Sequence, residues 1–184
     1  MRVSIFVDGA NIFYMQKDTL KWWIDLYKLL KWIESKTQGE IVDAFYYVGE
    51  EQPPDERQQS FLSALTRIGY SVVTKELKNI VQSDGRIIRK ANLDIEIVLD
   101  MFNTIENYDM AVLVSGDGDF ERPLKLLRAR GKRVLVLSTE GFIARELREV
   151  AGMHFVDFEG IREFVQKEQI DSREPIRSYY NHER

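Results

Sequence analysis

A chain of 184 residues, 44% hydrophobic and 11% aromatic, has the length and apolar content of one domain with a full core, which sets disorder aside. It contains no cysteine, which removes disulfides, thiolate nucleophiles, Cys-ligated zinc and iron–sulfur clusters and leaves oxygen donors that suit hard cations. The net charge of −4 argues against a generic nucleic-acid coat, and without a run of about 18 apolar residues the reading is a soluble cytoplasmic protein with no membrane partner.

Val3 to Val7 reads as a buried strand, and Asp18 or Thr19 as the cap of a helix running through about Lys36, with Trp22, Trp23, Leu26, Leu29, Leu30 and Ile33 near the 3.6 period. Ile41 to Val48, aromatic and β-branched, predicts a second strand. Pro53-Pro54-Asp55 opens a helix whose inner stripe is Phe61, Leu62, Leu65 and Ile68. Tyr70 to Thr74 follows as a third strand, and Asp84-Gly85 between two apolar pairs predicts a β-hairpin excursion near residues 75–90. A helix from about Asn92 is apolar nearly all round, which predicts deep burial. Strands at Met110 to Val114 and Lys132 to Leu137 then alternate with helices at Asp119 to Arg130 and Phe142 to Val150. A short edge strand at Met153 to Val156 and a helix at Ile161 to Gln166 complete the pattern. The expected fold is a three-layer αβα sandwich around a mainly parallel, Rossmann-type sheet. It occupies residues 1–166, with a polar tail over 167–184.

Asp8, and Asp117 with Asp119, fall where apolar strand-like runs break at glycine, Asp94 stands in a third stretch, Asn92-Leu93-Asp94, and ligands of open α/β sheets bind beyond the carboxyl ends of the strands. Each acid also has a structural reading. Asp119 can cap the helix containing Pro123, Asp94 can sit in a first turn for the helix dipole, and Asp8 with Asn11 can form an Asx turn. Asp100 points about 120° away from Asp94 on an ideal helix. It either supports the ligands from behind or bonds a neighbouring backbone group. Four acids brought together without a cation repel one another, which a divalent ion relieves. Mg²⁺ or Mn²⁺ fits an all-oxygen set and serves phosphodiester cleavage. Asp8, Asp94 and Asp117 are expected to converge within roughly 4 to 7 Å, with Asp119 closing the rim.

At these positions the chain resembles the NYN branch of the PIN-like nucleases, and within it the LabA-like family. The matching stretches are Val7-Asp8-Gly9-Ala10-Asn11-Ile12, then Lys90-Ala91-Asn92-Leu93-Asp94 continuing to Asp100, then Ser115-Gly116-Asp117-Gly118-Asp119-Phe120 with Pro123-Leu124. The resemblance implies a metal-dependent ribonuclease. Asp8, Asp94, Asp117 and Asp119 become ligands of Mg²⁺ or Mn²⁺ or activators of water, Asn11 assists, and Ser115 and Asp100 stand behind them.

Arg122, Lys125, Arg128, Arg130, Lys132 and Arg133 form a run without an acid, and Lys90 ends a second basic stretch. Beside an acidic cleft they would hold RNA in single-stranded or loop form; the alternative is a solvated helix face. The competing function is a catalytically weak regulator of the same fold that acts through RNA binding or protein assembly, and a homo-oligomer is compatible with either.

Overall fold

A computed structural model describes residues 1–81 and 87–168. Six parallel strands form one sheet in the order β3-β2-β1-β6-β7-β8. These are β1 (Arg2–Asp8), β2 (Glu40–Glu50), β3 (Ser71–Glu76), β6 (Met110–Val114), β7 (Arg133–Ser138) and β8 (Phe155–Asp157). Strands β4 (Lys78–Val81) and β5 (Ile87–Lys90) pair only with each other, as the expected hairpin. Its Asp84-Gly85 turn, like the tail beyond Glu168, lies outside the described residues.

Along β1, Val3, Ile5 and Val7 enter one core while Phe6 enters the other, the two-residue alternation of a strand buried on both faces. The first core is closed by α1 (Gly9–Tyr14), α2 (Leu26–Thr37), α3 (Glu56–Arg67) and α7 (Arg162–Val165) through Ile12, Leu29, Ile33, Leu65 and Val165. The second is closed by α4 (Asp94–Asn103), α5 (Glu121–Ala129) and α6 (Arg145–Ala151) through Ile97, Met101, Leu124, Leu127 and Leu147. The expected αβα sandwich is therefore the observed fold. From β1 the chain steps outward to β2 and β3, and later returns to lay β6, β7 and β8 on the opposite side. The switch point falls between β1 and β6, where the loops beyond their carboxyl ends diverge.

Three expectations differ from the structure. No helix spans Asp18 to Lys36: α1 starts directly after Asp8, runs into a π-helical turn at Met15–Leu20, and stops at Lys21, whose φ of 59° is left-handed. The chain then runs extended, with the Ile24 N–H on the buried Gln16 Oε1 and Ile24 bridging Gln166. Asp25, not Asp18 or Thr19, caps α2 by accepting from the Tyr27 and Lys28 N–H groups. A continuous apolar period hid this break because Trp22 and Ile24 are buried in the extended linker as they would be in a helix. Secondly, α4 is not buried all round: Leu93, Ile97 and Met101 face the sheet, while Ile95 and Leu99 are 66% and 54% exposed. Nothing among the described residues packs on its outer face. Thirdly, α6 begins at Arg145 rather than Phe142, because Phe142 and Ile143 donate to Thr139 and Ala144 donates to Gly116 in a turn.

Helix α1 can start against the sheet only because position 9 lacks a side chain. A Cβ on Gly9 would run into the Tyr47 carbonyl oxygen and the Tyr46 ring. Gly9→Ala should therefore cost about 2 kcal/mol through forced backbone movement, read as a fall in Tm of roughly 4 to 8 °C. An unchanged thermal transition would contradict this close approach.

Candidate metal centre

The carboxyl edge at the switch point is built by three chain segments. Strand β1 ends on Asp8, which caps α1: its Oδ1 accepts the Asn11 N–H at 3.1 Å and its Oδ2 accepts the Ser115 hydroxyl at 3.2 Å. Strand β6 ends on Val114, and the loop that follows is held from below. Gly116 N–H donates to Asn11 Oδ1 at 2.7 Å, and Asp117 N–H donates to Ser115 Oγ at 3.1 Å. Gly116 has no room for a side chain, since a Cβ would lie 2.8 Å from Ser138 Oγ. Asp117 then caps the 3₁₀ turn Gly118–Phe120 by accepting the Asp119 N–H at 2.9 Å. Asp119 does not cap the helix containing Pro123, as the sequence offered: α5 has Phe120 at its N-cap and no side-chain cap.

The third segment comes from above. Asp94 opens α4, and its N–H donates to Asn92 Oδ1 at 2.9 Å. Lys75 Nζ, at the end of β3, holds this approach by donating to the Asn92 carbonyl at 2.8 Å and pairing with Glu96 at 2.7 Å. The helix N-terminus favours a carboxylate in this first turn.

One carboxylate oxygen each from Asp94, Asp117 and Asp119 lies within 4.8 Å of the other two. On a magnesium ion with bonds of about 2.1 Å, ligand oxygens stand roughly 3 to 4.2 Å apart, so small side-chain rotations would bring the trio into coordination distance. The donor set is all oxygen and multiply negative, and it fits a hard divalent cation. Asp8 stands beside the trio rather than in it. Burial raises its pKa from 3.8 to about 6 against the lowering effect of the Asn11 N–H, and the charges of Asp94 and Asp117 push it further upward. Asp100 turns away and accepts the Tyr47 hydroxyl at 3.0 Å, so of its two expected roles it takes the local one, toward a side chain rather than backbone. Burial and the Asp100 charge raise the Tyr47 pKa in turn.

The expected basic track divides along the fold. Helix α5 runs from the acidic edge back toward the amino ends of the strands, and its nine residues cover about 13 Å. Arg122 and Lys125 are exposed on its first half, Lys125 paired with Glu121. Arg128 donates to the Val150 and Ala151 carbonyls at the end of α6. Arg130, Lys132 and Arg133 stand at the opposite edge, around the start of β7. The side chain of Lys90 lies outside the described ones. Sequence reasoning passed over Glu146, in the first turn of α6, whose Oε2 comes within 3.6 Å of where a Cβ on Gly118 would stand, between Asp117 and Asp119. Its only sequence signal was an acid near a helix start.

Residues 2–166 match the family model of the NYN domain. The chain is 46% identical over 168 residues to the low amplitude and bright protein LabA of Synechococcus elongatus, covering 90% of this chain and 88% of that one. Among solved structures, a protein of unknown function from Vibrio parahaemolyticus superposes with a TM-score of 0.72 at 27% identity, over 89% of this chain and 95% of the other.

The raised Asp8 pKa sets a pH dependence for the metal-free protein. With a folded value near 6 above 3.8 in the unfolded chain, the folded state holds this proton more tightly. That contribution to stability is full below about pH 3.8 and is lost as pH rises through about 6, the loss amounting to no more than about 3 kcal/mol at neutrality. Asp8→Asn stays neutral and can still accept the Asn11 N–H. It should be more stable than the wild type at pH 7.5 in metal-free buffer, with the gap closing toward pH 4.5. Urea melts at the two pH values measure this, and a gap independent of pH would remove the assigned cause.

Proposed function

The chain belongs to the NYN domain family, and we propose that it is a ribonuclease dependent on Mg²⁺ or Mn²⁺. The observation that carries this reading is the convergence of Asp94, Asp117 and Asp119 within 4.8 Å at the switch point of a PIN-like sheet. A divalent ion held by the trio would supply charge neutralisation at the scissile phosphate and a more acidic water.

The protein's own groups divide the remaining work. Asn11 and Ser115 are positioning residues, because their side chains fix the Gly116 and Asp117 N–H groups and through them the loop that carries two of the three acids. Asp117 combines a ligand oxygen with its cap on the Asp119 N–H. The Asp119 carboxylate is exposed and accepts no hydrogen bond among the described residues, so it is the group placed to take the proton of an attacking water. The phosphorus–oxygen bond to the leaving ribose breaks as the water oxygen bonds to phosphorus, and the leaving oxygen takes its proton from solvent. Asp8, neutral for part of the time near pH 6, limits the total negative charge beneath the trio until a cation arrives. Flexible single-stranded or loop RNA suits an open rim, with Arg122 and Lys125 as the near phosphate contacts and the cytoplasm as its setting.

The same geometry gives one reason to keep a second reading, a weakly catalytic regulator that acts through RNA binding or protein assembly. Of the six clustered basic residues, only Arg122 and Lys125 stand on the half of α5 nearest the acids, which makes for a light grip on a polyanion.

Asp94→Asn and Asp117→Asn should each lower Mn²⁺-dependent cleavage of a single-stranded RNA by about 100-fold or more while the fold persists. Calorimetry should record weakened Mn²⁺ binding in both. Full cleavage by a rigorously purified Asp117→Asn protein would remove the catalytic assignment. Tight Mn²⁺ binding by the wild type without any turnover would favour the regulator.

A further inference from the structure

The geometry points to a phosphoryl-binding site at the amino edge of the sheet, in the open pocket of about 350 Å³ lined by Met1, Asp109 and the turn Arg130-Gly131-Lys132-Arg133. This site is separate from the acidic trio and does not rest on the ribonuclease reading. The five residues of β6, at about 3.3 Å each, put roughly 16 Å of sheet between the two edges.

Three cations face this pocket, and none is paired with a carboxylate among the described residues. The Arg130 guanidinium lies over the Phe102 ring at 5.0 Å, and its N–H groups have no hydrogen-bond acceptor among the described residues. Among the described residues Arg133 Nη1 has Met1 Sδ, at 3.5 Å, a weak acceptor. Lys132 Nζ donates to the Tyr108 carbonyl at 2.8 Å and lies over the Tyr108 ring, so it is held in place with two of its three N–H groups still to satisfy. Gly131, at a φ of +77°, makes the turn that groups these three side chains, a backbone angle that costs a residue with a Cβ.

Asp109, the one acid that lines the pocket, is already neutralised. Its Oδ2 accepts the Arg2 backbone N–H at 2.8 Å and its Oδ1 accepts Arg2 Nη2 at 3.0 Å. The negative end of the α5 dipole opposes an anion here, but three of its last carbonyls, on Leu126, Leu127 and Arg128, are occupied by the N–H groups of residues 130 to 132. Three full charges outweigh that partial one. The surplus calls for a ligand with more than one negative charge, and arginine forks match phosphoryl oxygens in shape. The pocket volume lies at the lower end for small-ligand sites, enough for one or two phosphoryl groups with a fragment attached. A free nucleotide and the 5′-phosphate of an RNA both present this chemistry.

The test is a calorimetric titration of the full chain with inorganic pyrophosphate in chelator-free, metal-depleted buffer. Arg130→Gln/Arg133→Gln should weaken binding about tenfold or more, since two charge-assisted contacts are lost. The control Lys36→Gln/Arg67→Gln removes the same charge elsewhere and should leave binding unchanged. Absence of pyrophosphate binding by the wild type, or equal weakening by the control pair, overturns the site. If the double variant loses its thermal transition, Arg133→Gln alone carries the comparison, with a smaller weakening expected and none overturning it. Displacement by adenosine triphosphate or by a 5′-phosphorylated RNA tetramer supports the site, the better competitor naming the source, and failure of both to displace pyrophosphate overturns it.

Discussion

The constraint on which this fold turns is repulsion among carboxylates at one point of its sheet. Two unit charges 4.8 Å apart repel by about 1 kcal/mol in water and by about 3.5 kcal/mol at an effective dielectric of 20. The fold meets this with oriented N–H groups. Asp8 caps α1, Asp94 opens α4, and Asp117 caps the turn that leads into α5. Helix starts are thus directed at a common rim, each presenting the partial positive charge of its unsatisfied amides. The first and last of these starts are tied together below the rim by the side chains of Asn11 and Ser115.

That arrangement explains which parts of the molecule could be read in advance. The central strands β1, β6 and β7 were legible because they are buried on both faces and read as apolar runs, and Asp8, Asp117 and Asp119 were legible because they stand where such runs stop. The break between α1 and α2 was not, because its cause is tertiary. The Ile24 N–H satisfies a buried glutamine, and the extended segment pairs with the far end of the domain through Gln166 and Lys167. Hydrophobic period alone cannot separate a helix from a linker that buries the same residues. The exposed face of α4 was missed for a related reason. Ile95 and Leu99 are apolar, but one sheet can cover only one side of a helix.

Within the site, the sequence named the acids but not their ranking. Asp119, expected as a ligand that closes the rim, belongs to the converging trio with Asp94 and Asp117, while Asp8 stands beside it. The basic run taught the opposite lesson about contiguity. Arg122 to Arg133 is one patch in sequence, yet α5 carries it from one edge of the sheet to the other, so its first residues lie on the half nearest the acids while its last surround a different pocket.

The two edges are also mechanically linked, through the strand pair that carries Asp8. Strands β1 and β6 run in register from Val3 beside Met110 to Val7 beside Val114, which places Asp8 against Ser115. A slip of one residue would turn Phe6 and Val7 to the wrong cores and carry Asp8 away from its hydroxyl donor. At the other end of the same pair, the Arg2 backbone N–H and guanidinium both hold the Asp109 carboxylate, while the Asp109 N–H donates to the Arg2 carbonyl. Exposed as it is, this ion pair contributes little stability of its own. Its weight lies in register: it marks where β1 must meet β6. The acidic rim, some 16 Å further along the strands, inherits its alignment from that contact.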